Sequence, residues 1–271
     1  MTSQPTVVQT SYAHARIEAD PSRPAGRLLY LDGIECSYVD LADPAHIEFG
    51  YVRRLADAID LVAAPAAPIR VTHLGGGGFS LPRYVGATRP GSRQIVYEYD
   101  EGLVELARAE LGLRTSPELR VKIGDARTRL ARRSARSADV VVGDAFVGRH
   151  IPDHLASVEF AELVKSVLRP GGIYAMNVID APPLAFARAE GAVLLRVFAH
   201  VVMCTDADVL RGKESGNLVY VASDEPLPFD EMSRRAARGH LPERVLERVG
   251  VQRFVGSARP LHDSAHPDPA A

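Results

Sequence analysis

The stretch Ile69–Asp100, IRVTHLGGGGFSLPRYVGATRPGSRQIVYEYD, sets the architecture of this chain. An apolar run at 69–74 enters four consecutive glycines, Gly75 to Gly78, and a second apolar run at 94–99 ends among the acidic residues Glu98 and Asp100. The order reads as strand, glycine loop, helix, strand. Glycine reaches positive φ and brings the backbone up to a ligand with no Cβ in the way, and the amides opening the next helix point at whatever sits there. Such a loop holds a nucleotide or nucleoside. Glu98 and Asp100 lie 23 and 25 positions beyond Gly75, the spacing at which a strand-end carboxylate accepts both hydrogen bonds of a ribose diol, and Glu98 is the expected ribose ligand.

Downstream the same alternation continues. Strands are expected at about 69–74, 94–99, 119–123, 138–143 and 172–178, separated by helices at about 80–88, 101–111, 126–133, 153–168 and 183–197. That pattern predicts an α/β, Rossmann-like fold with a mostly parallel sheet and helices on both faces. Two β-rich runs, HVVMCTD and NLVYVAS, read as an antiparallel closing hairpin and complete a seven-stranded sheet. Upstream, ARIEAD, GRLLYLDG and IECSYVDL alternate with turn residues and predict a small β appendage over about 15–42, preceded by a frayed, polar start. Asp43-Pro44 predicts the cap and first turn of a helix carrying Ile47, Tyr51, Leu55, Ile59 and Leu61. The expected division is an N-terminal appendage over 1–43, a catalytic domain over 44–258 and a polar tail over 259–271 that is coil or a loop covering the site.

Composition narrows the function. Lys+Arg number 32 against Asp+Glu 34, a formal net charge of −2, so the chain lacks the basic excess that phosphate backbones attract, and nucleic acid is not an expected partner. Cys36 and Cys204 are too few for a disulfide framework and have no metal-ligand spacing, which suits a reducing cytoplasm. No apolar run follows a basic start, and none approaches the roughly 20 residues that cross a bilayer, so a soluble protein without a membrane partner is expected.

Ligands of a parallel α/β sheet bind outside the carboxyl ends of its strands. Four successive ends here carry suitable groups: the glycine loop, then Glu98 and Asp100, then Asp125 in IGDAR, then Asp144 in VVGDAF. Asp before a helix is also a common N-cap, and for Asp125 capping and ligand contact stand as equal readings. Asp144 lies about nine residues ahead of the next expected helix, too far to cap it. A nicotinamide dinucleotide fits less well, because G-x-G-x-x-G is met at Gly75 and Gly77 but reaches Ser80 at its third glycine.

These residues resemble spermidine synthases and their relatives on the class I methyltransferase fold. The matching segments are LYLDGIECSYVD (29–40), HIEF (46–49), VTHLGGGGFSLPRY (71–84), VYEYDEGLVELAR (96–108), IGDAR (123–127), DVVVGDAF (139–146) and LRPGGIYAMNV (168–178). The resemblance implies S-adenosylmethionine, or its decarboxylated form, as co-substrate. It implies that Glu98 holds the ribose, Asp125 with Ala126 the adenine, and the Gly75, Gly76 and Gly77 backbone the sulfonium side. Asp144 falls on the acidic position that helps to deprotonate an attacking amine. On the acceptor side the resemblance points to His46, Glu48, Phe146 and Asp180, and it implies a homodimer.

The sequence also departs from that family. Its usual G-G-G-D-G is Gly75-Gly76-Gly77-Gly78-Phe79 here, D-x-x-D becomes Asp144-Ala145-Phe146-Val147, and Cys36 stands where a glutamine is common. A carboxylate beside the nucleoside side chain attracts an ammonium and repels the α-carboxylate of the intact donor, a discrimination worth up to several kcal/mol that Gly78 removes. Val147 likewise removes an anionic partner for a dicationic polyamine. The expected reaction is therefore alkyl transfer, most simply of a methyl group, to a small amine acceptor. The alternatives are aminopropyl transfer, with Glu48, Asp180 or Asp263 replacing the missing carboxylates, and a non-catalytic nucleoside-binding module. His262, Asp263, His266 and Asp268 have metal-ligand side chains, but a polar tail accounts for them and no metal is expected.

Overall fold

Asp32 and Gly33 both take positive φ, 49° and 79°, the geometry of a tight primed hairpin, and they fold the N-terminal segment back on itself. In the computed structural model, which describes residues 5–238 and 243–263, this segment is a four-stranded antiparallel meander. Its strands are β1 (Thr6–Gln9), β2 (His14–Asp20), β3 (Arg23–Leu31) and β4 (Ile34–Asp40). The appendage thus gains a strand in the stretch expected to fray. The cause is a long-range contact: the Asp100 carboxylate accepts from the Thr10 hydroxyl and from the Ser11 and Tyr12 amides, which fixes the β1–β2 turn. Ala15, Ile17 and Leu29 pack from this sheet against Phe79, Leu103 and Val104.

Among the described residues the main sheet has eight strands. β5 (Arg70–Leu74), β6 (Arg93–Glu98), β7 (Leu119–Ile123), β8 (Ala138–Gly143) and β9 (Leu168–Asp180) are parallel, and β10 (His200–Asp206) and β11 (Gly216–Ser223) form the antiparallel hairpin. The eighth strand is β12 (Glu243–Leu246), which pairs antiparallel with β10 at the edge. ERVL is too short to carry a readable period. The spatial order is β12-β10-β11-β9-β8-β5-β6-β7. From β5 the chain runs outward one way through β6 and β7, then returns and runs the other way through β8 and β9. A crevice opens at such a reversal, beyond the ends of β5 and β8.

Helix α1 covers Gly50–Asp60 and starts later than Asp43-Pro44 predicts. Asp43 accepts from the Ala45 amide in a local turn, and Asp40 accepts from the Ala42 and Asp43 amides, so 41–49 is a hydrogen-bonded loop. Val52, Leu55, Ala56 and Ile59 of α1 are buried in the core on one face of the main sheet. Arg54 is buried with them and pairs with Asp206 at 2.6 Å and Glu243 at 3.1 Å, joining α1 to the ends of β10 and β12. The remaining helices that frame the crevice are α2 (Ser80–Thr88), α3 (Glu101–Glu110), α4 (Ala126–Ala131), α5 (Val158–Val167) and α6 (Ala185–Val197). Asp100, Asp125 and Ser157 cap α3, α4 and α5, each accepting from an amide of the first turn. Among the described residues no helix is long and apolar enough to cross a membrane.

Candidate nucleoside and acceptor site

The glycine loop is pressed between two strand ends. Gly75 has φ +93°, and a Cβ there would lie 2.3 Å from the Asp144 carbonyl oxygen, so only glycine lets the loop pass the end of β8. A Cβ on Gly76 would meet the Phe79 ring at 2.7 Å and Glu98 Oε2 at 3.2 Å. The Gly76 amide donates to that same Glu98 oxygen at 2.7 Å, and the Asp100 amide donates to Oε1 at 2.9 Å. Burial raises the Glu98 carboxyl above its usual range, against the pull of these amides. Glu98 therefore stands fixed beside the loop, at the end of β6. Asp100 is spent on the β1–β2 turn and on the α3 cap.

Asp144 faces Glu98 across the loop. Its amide donates to the Leu74 carbonyl at 2.9 Å, and its Oδ1 accepts from Asn177 Nδ2 at 2.9 Å. Asn177 in turn accepts from Asn217 Nδ2 at 3.0 Å, so a chain of amides from β9 and β11 orients the carboxylate. Burial pushes the Asp144 carboxyl up to about 6, with the Asn177 bond opposing it. A carboxylate with that value at a strand end is ionised at neutral pH yet close enough to titration to exchange a proton.

Tyr51, which sequence reasoning did not place in the site, and Cys36 sit beside Asp144. Tyr51 on α1 donates its hydroxyl to the Cys36 carbonyl at 3.2 Å, and burial together with the Asp144 charge raises its phenol well above the usual value. The same two causes push the Cys36 thiol up to about 12. Both groups are neutral at pH 7, and a thiol so protonated is not a nucleophile. The sequence carries Tyr51 only as one apolar position of a helix, and nothing local marks it. Ser37, next along β4, accepts from the Gly78 amide at 2.9 Å. Its Cβ would lie 2.7 Å from a Cβ on Gly78, so the appendage fills the place where a side chain at 78 would begin.

At the end of β7 Asp125 is a helix cap whose second oxygen is paired with a histidine. Oδ1 accepts from the Thr128 amide at 2.7 Å as a helix cap, and Oδ2 meets His154 Nε2 at 2.7 Å. Burial works to raise this carboxyl, but the Thr128 and His154 bonds outweigh it and hold it below the usual range. Ala126 follows, buried at the start of α4. His154 comes from the short 3-10 turn Asp153–Leu155, and its Nδ1 is buried without a partner among the described residues. The segment after Gly256 returns to this edge: Asp263 takes a bidentate grip from Arg127 at 2.6 and 2.7 Å and accepts from Ser157 at 2.6 Å.

The acceptor-side residues are dispersed. His46 and Glu48 pair at 2.9 Å in the loop 41–49, not on a helix. Phe146 packs on the core beneath the loop after β8, and Val147 is 72% exposed. Asp180 accepts from the Ala181 and Ala187 amides near the start of α6. Of the three carboxylates available as replacements, Asp180 and Asp263 are engaged by backbone and by Arg127, and Glu48 by His46. His266 and Asp268 lie outside the described residues, and His262 pairs with Glu159 at 2.8 Å. Among the described residues no group of three or more His, Cys, Asp or Glu is placed to hold a metal ion.

A probable spermidine synthase from Corynebacterium glutamicum has the same structure over nearly its whole length, with a TM-score of 0.92 and 29% identity over 98% of this chain and 99% of that one. The chain is similar to spermidine synthases in both sequence and fold. A polyamine aminopropyltransferase of Vibrio vulnificus is 29% identical over 204 residues, 74% of this chain. The chain spans about 64% of the length of that relative. A spermidine synthase solved with the transition-state analogue AdoDATO shares the fold at a TM-score of 0.65, with 18% identity over 86% of this chain and 78% of that one. No protein-family model matches the chain.

Proposed function

We propose that this spermidine synthase-like chain is a transferase that moves an alkyl group from the sulfonium of an S-adenosyl nucleoside to a small amine, with aminopropyl transfer from the decarboxylated donor as the leading reaction. The observation that carries the reading is the half-buried Asp144, oriented by Asn177 and placed across the glycine loop from Glu98. The aminopropyltransferase and spermidine synthase relatives favour aminopropyl over methyl transfer.

In this reading Glu98 accepts from the ribose hydroxyls, the Gly75–Gly77 backbone lies along the sulfonium side, and Asp125 with Ala126 borders the base. The donor carries its leaving group ready-made, so the protein has mainly to align the amine with the carbon and remove a proton. The amine lone pair forms the C–N bond as the C–S bond breaks, the bonding pair stays on sulfur as a neutral thioether, and Asp144 takes the proton from nitrogen. Neutral Cys36 and Tyr51 shape the amine side without competing for that proton.

A second reading, methyl transfer from intact S-adenosylmethionine, is favoured by Gly78. With no carboxylate there, and Ser37 closing the space, nothing at this position repels the α-carboxylate of the intact donor. Calorimetric titration with S-adenosylmethionine, its decarboxylated form and NAD tests both readings. Preference for the decarboxylated donor, with methylthioadenosine released in the presence of a diamine, supports aminopropyl transfer. Preference for the intact donor selects methyl transfer, and binding of NAD alone, or of none, refutes the nucleoside-sulfonium reading.

A further inference from the structure

On the face of β6 and β7 covered by α4 lies a cavity of about 310 Å³ that shares no residue with the glycine loop, Glu98, Asp125 or Asp144. It is lined by Lys122 from β7, by Arg129, Arg132, Arg133, Ser134 and Ser137 from α4 and the turn after it, and by Ile95 and Tyr97 at its floor. Four cations therefore converge in a chain whose formal net charge is −2. None of the four lies within ion-pair distance of a carboxylate among the described residues. The neighbouring arginines behave differently: Arg127 is matched by Asp263 and Arg169 by Asp139.

Two of the four cationic heads are nonetheless held. Arg129 donates to the Ile123 carbonyl through Nε at 3.1 Å, and Arg133 donates to the Ser137 hydroxyl at 3.3 Å and carbonyl at 3.4 Å. Neutral acceptors position these groups without cancelling their charge. A cleft lined by one sign over a low-dielectric floor concentrates counter-charge, and here the floor is the buried Tyr97 and half-buried Ile95. Guanidinium forks with serine hydroxyls between them match the tetrahedral oxygens of phosphate better than a single carboxylate. The volume is at the small end of ligand pockets, roughly 300–1,000 Å³, which suits a compact ligand.

We propose that this cavity is a second binding site, for a small polyanion bearing two or more linked phosphate groups. A compact cavity, with no exposed aromatic residue lining it as a stacking platform, favours such a ligand over a nucleic-acid strand. The proposal does not depend on the reaction at the nucleoside site.

The test is calorimetric titration of the full chain with inorganic pyrophosphate and inorganic triphosphate at fixed ionic strength, with a single-stranded RNA oligonucleotide as a third probe. Arg132 is exposed and its side chain makes no hydrogen bond among the described residues, so Arg132→Glu should leave the ligand-free Tm unchanged while weakening pyrophosphate binding at least tenfold. Arg132→Lys, which keeps charge but loses the fork, should fall between. Binding of triphosphate tighter than pyrophosphate, and lost in Arg132→Glu, supports the site. Absence of binding at millimolar pyrophosphate and triphosphate overturns it, as does equal affinity in Arg132→Glu or binding of the RNA alone.

Discussion

Replacing Asp144 with Asn should separate what that side chain does for chemistry from what it does to stability. Burial holds its carboxyl at about 6 in the folded chain, whereas an unfolded aspartate titrates near 3.9. At about 1.4 kcal/mol for each tenfold in proton affinity, keeping Asp144 ionised in its site costs up to about 3 kcal/mol, less what solvent reaching the crevice recovers. The sign follows from the raised value: below pH ~4 the group is protonated in both states and there is no penalty. As pH rises from ~4 to ~6 the penalty grows, and above ~6 it is complete. The Asn side chain of the Asp144→Asn variant would keep an oxygen for the Asn177 amide and carry no charge. The variant's Tm at pH 7 should therefore exceed that of the parent, by roughly 2–4 °C per kcal/mol for a chain of this size, and the gain should vanish toward pH 4. Turnover should fall by roughly 10²–10⁴-fold, the usual contribution of a general base, and parental turnover should drop about tenfold between pH 7 and pH 5. Scanning calorimetry from pH 4 to pH 8, beside steady-state rates over the same range, reads all three. A variant less stable than the parent at pH 7, or a parental rate flat between pH 5 and pH 7, would refute the reasoning.

Other expectations follow from single contacts. Gly78→Asp alone should lower Tm, because its Cβ arrives 2.7 Å from that of Ser37; paired with Ser37→Gly it should fold and shift calorimetric preference toward the decarboxylated donor by roughly tenfold or more. Glu98→Gln should weaken nucleoside binding at least tenfold with little change in the pH dependence of the rate, since the amide turns one of two acceptor oxygens into a donor. Arg54→Met strands Asp206 and Glu243 beside a buried helix and should cost about 3 kcal/mol in urea unfolding, because a buried pair broken on one side leaves uncompensated charge.

The strand ends were legible because their signals are local: four glycines after an apolar run, and an acid where a strand stops. Glu98, Asp125 and Asp144 needed only the alternation of strand and helix to place them along one sheet edge. What escaped depends on contacts far apart in sequence. Tyr51 is a helical apolar position until β4 brings the Cys36 carbonyl to it, and His154 is a loop histidine until it meets Asp125, 29 residues away. The helix start at Gly50 was misread from Asp43-Pro44 because a capping aspartate and an aspartate in a short turn look alike in sequence. The strand β1 exists because Asp100, 90 residues downstream of Thr10, holds its turn.

Thr10, Ser11 and Tyr12 grip Asp100, whose amide in turn donates to Glu98, and Asp263 grips Arg127, two positions after Asp125. Both ends of the described segment are thus stitched to the walls of the crevice beyond the strand ends. Trimming the stretch around residue 10 or residue 263 to obtain a tidier protein for crystals would loosen those walls, and an affinity tag placed there would sit at their rim. A reporter dye attached there would, for the same reason, sense movement of the crevice walls from the outside.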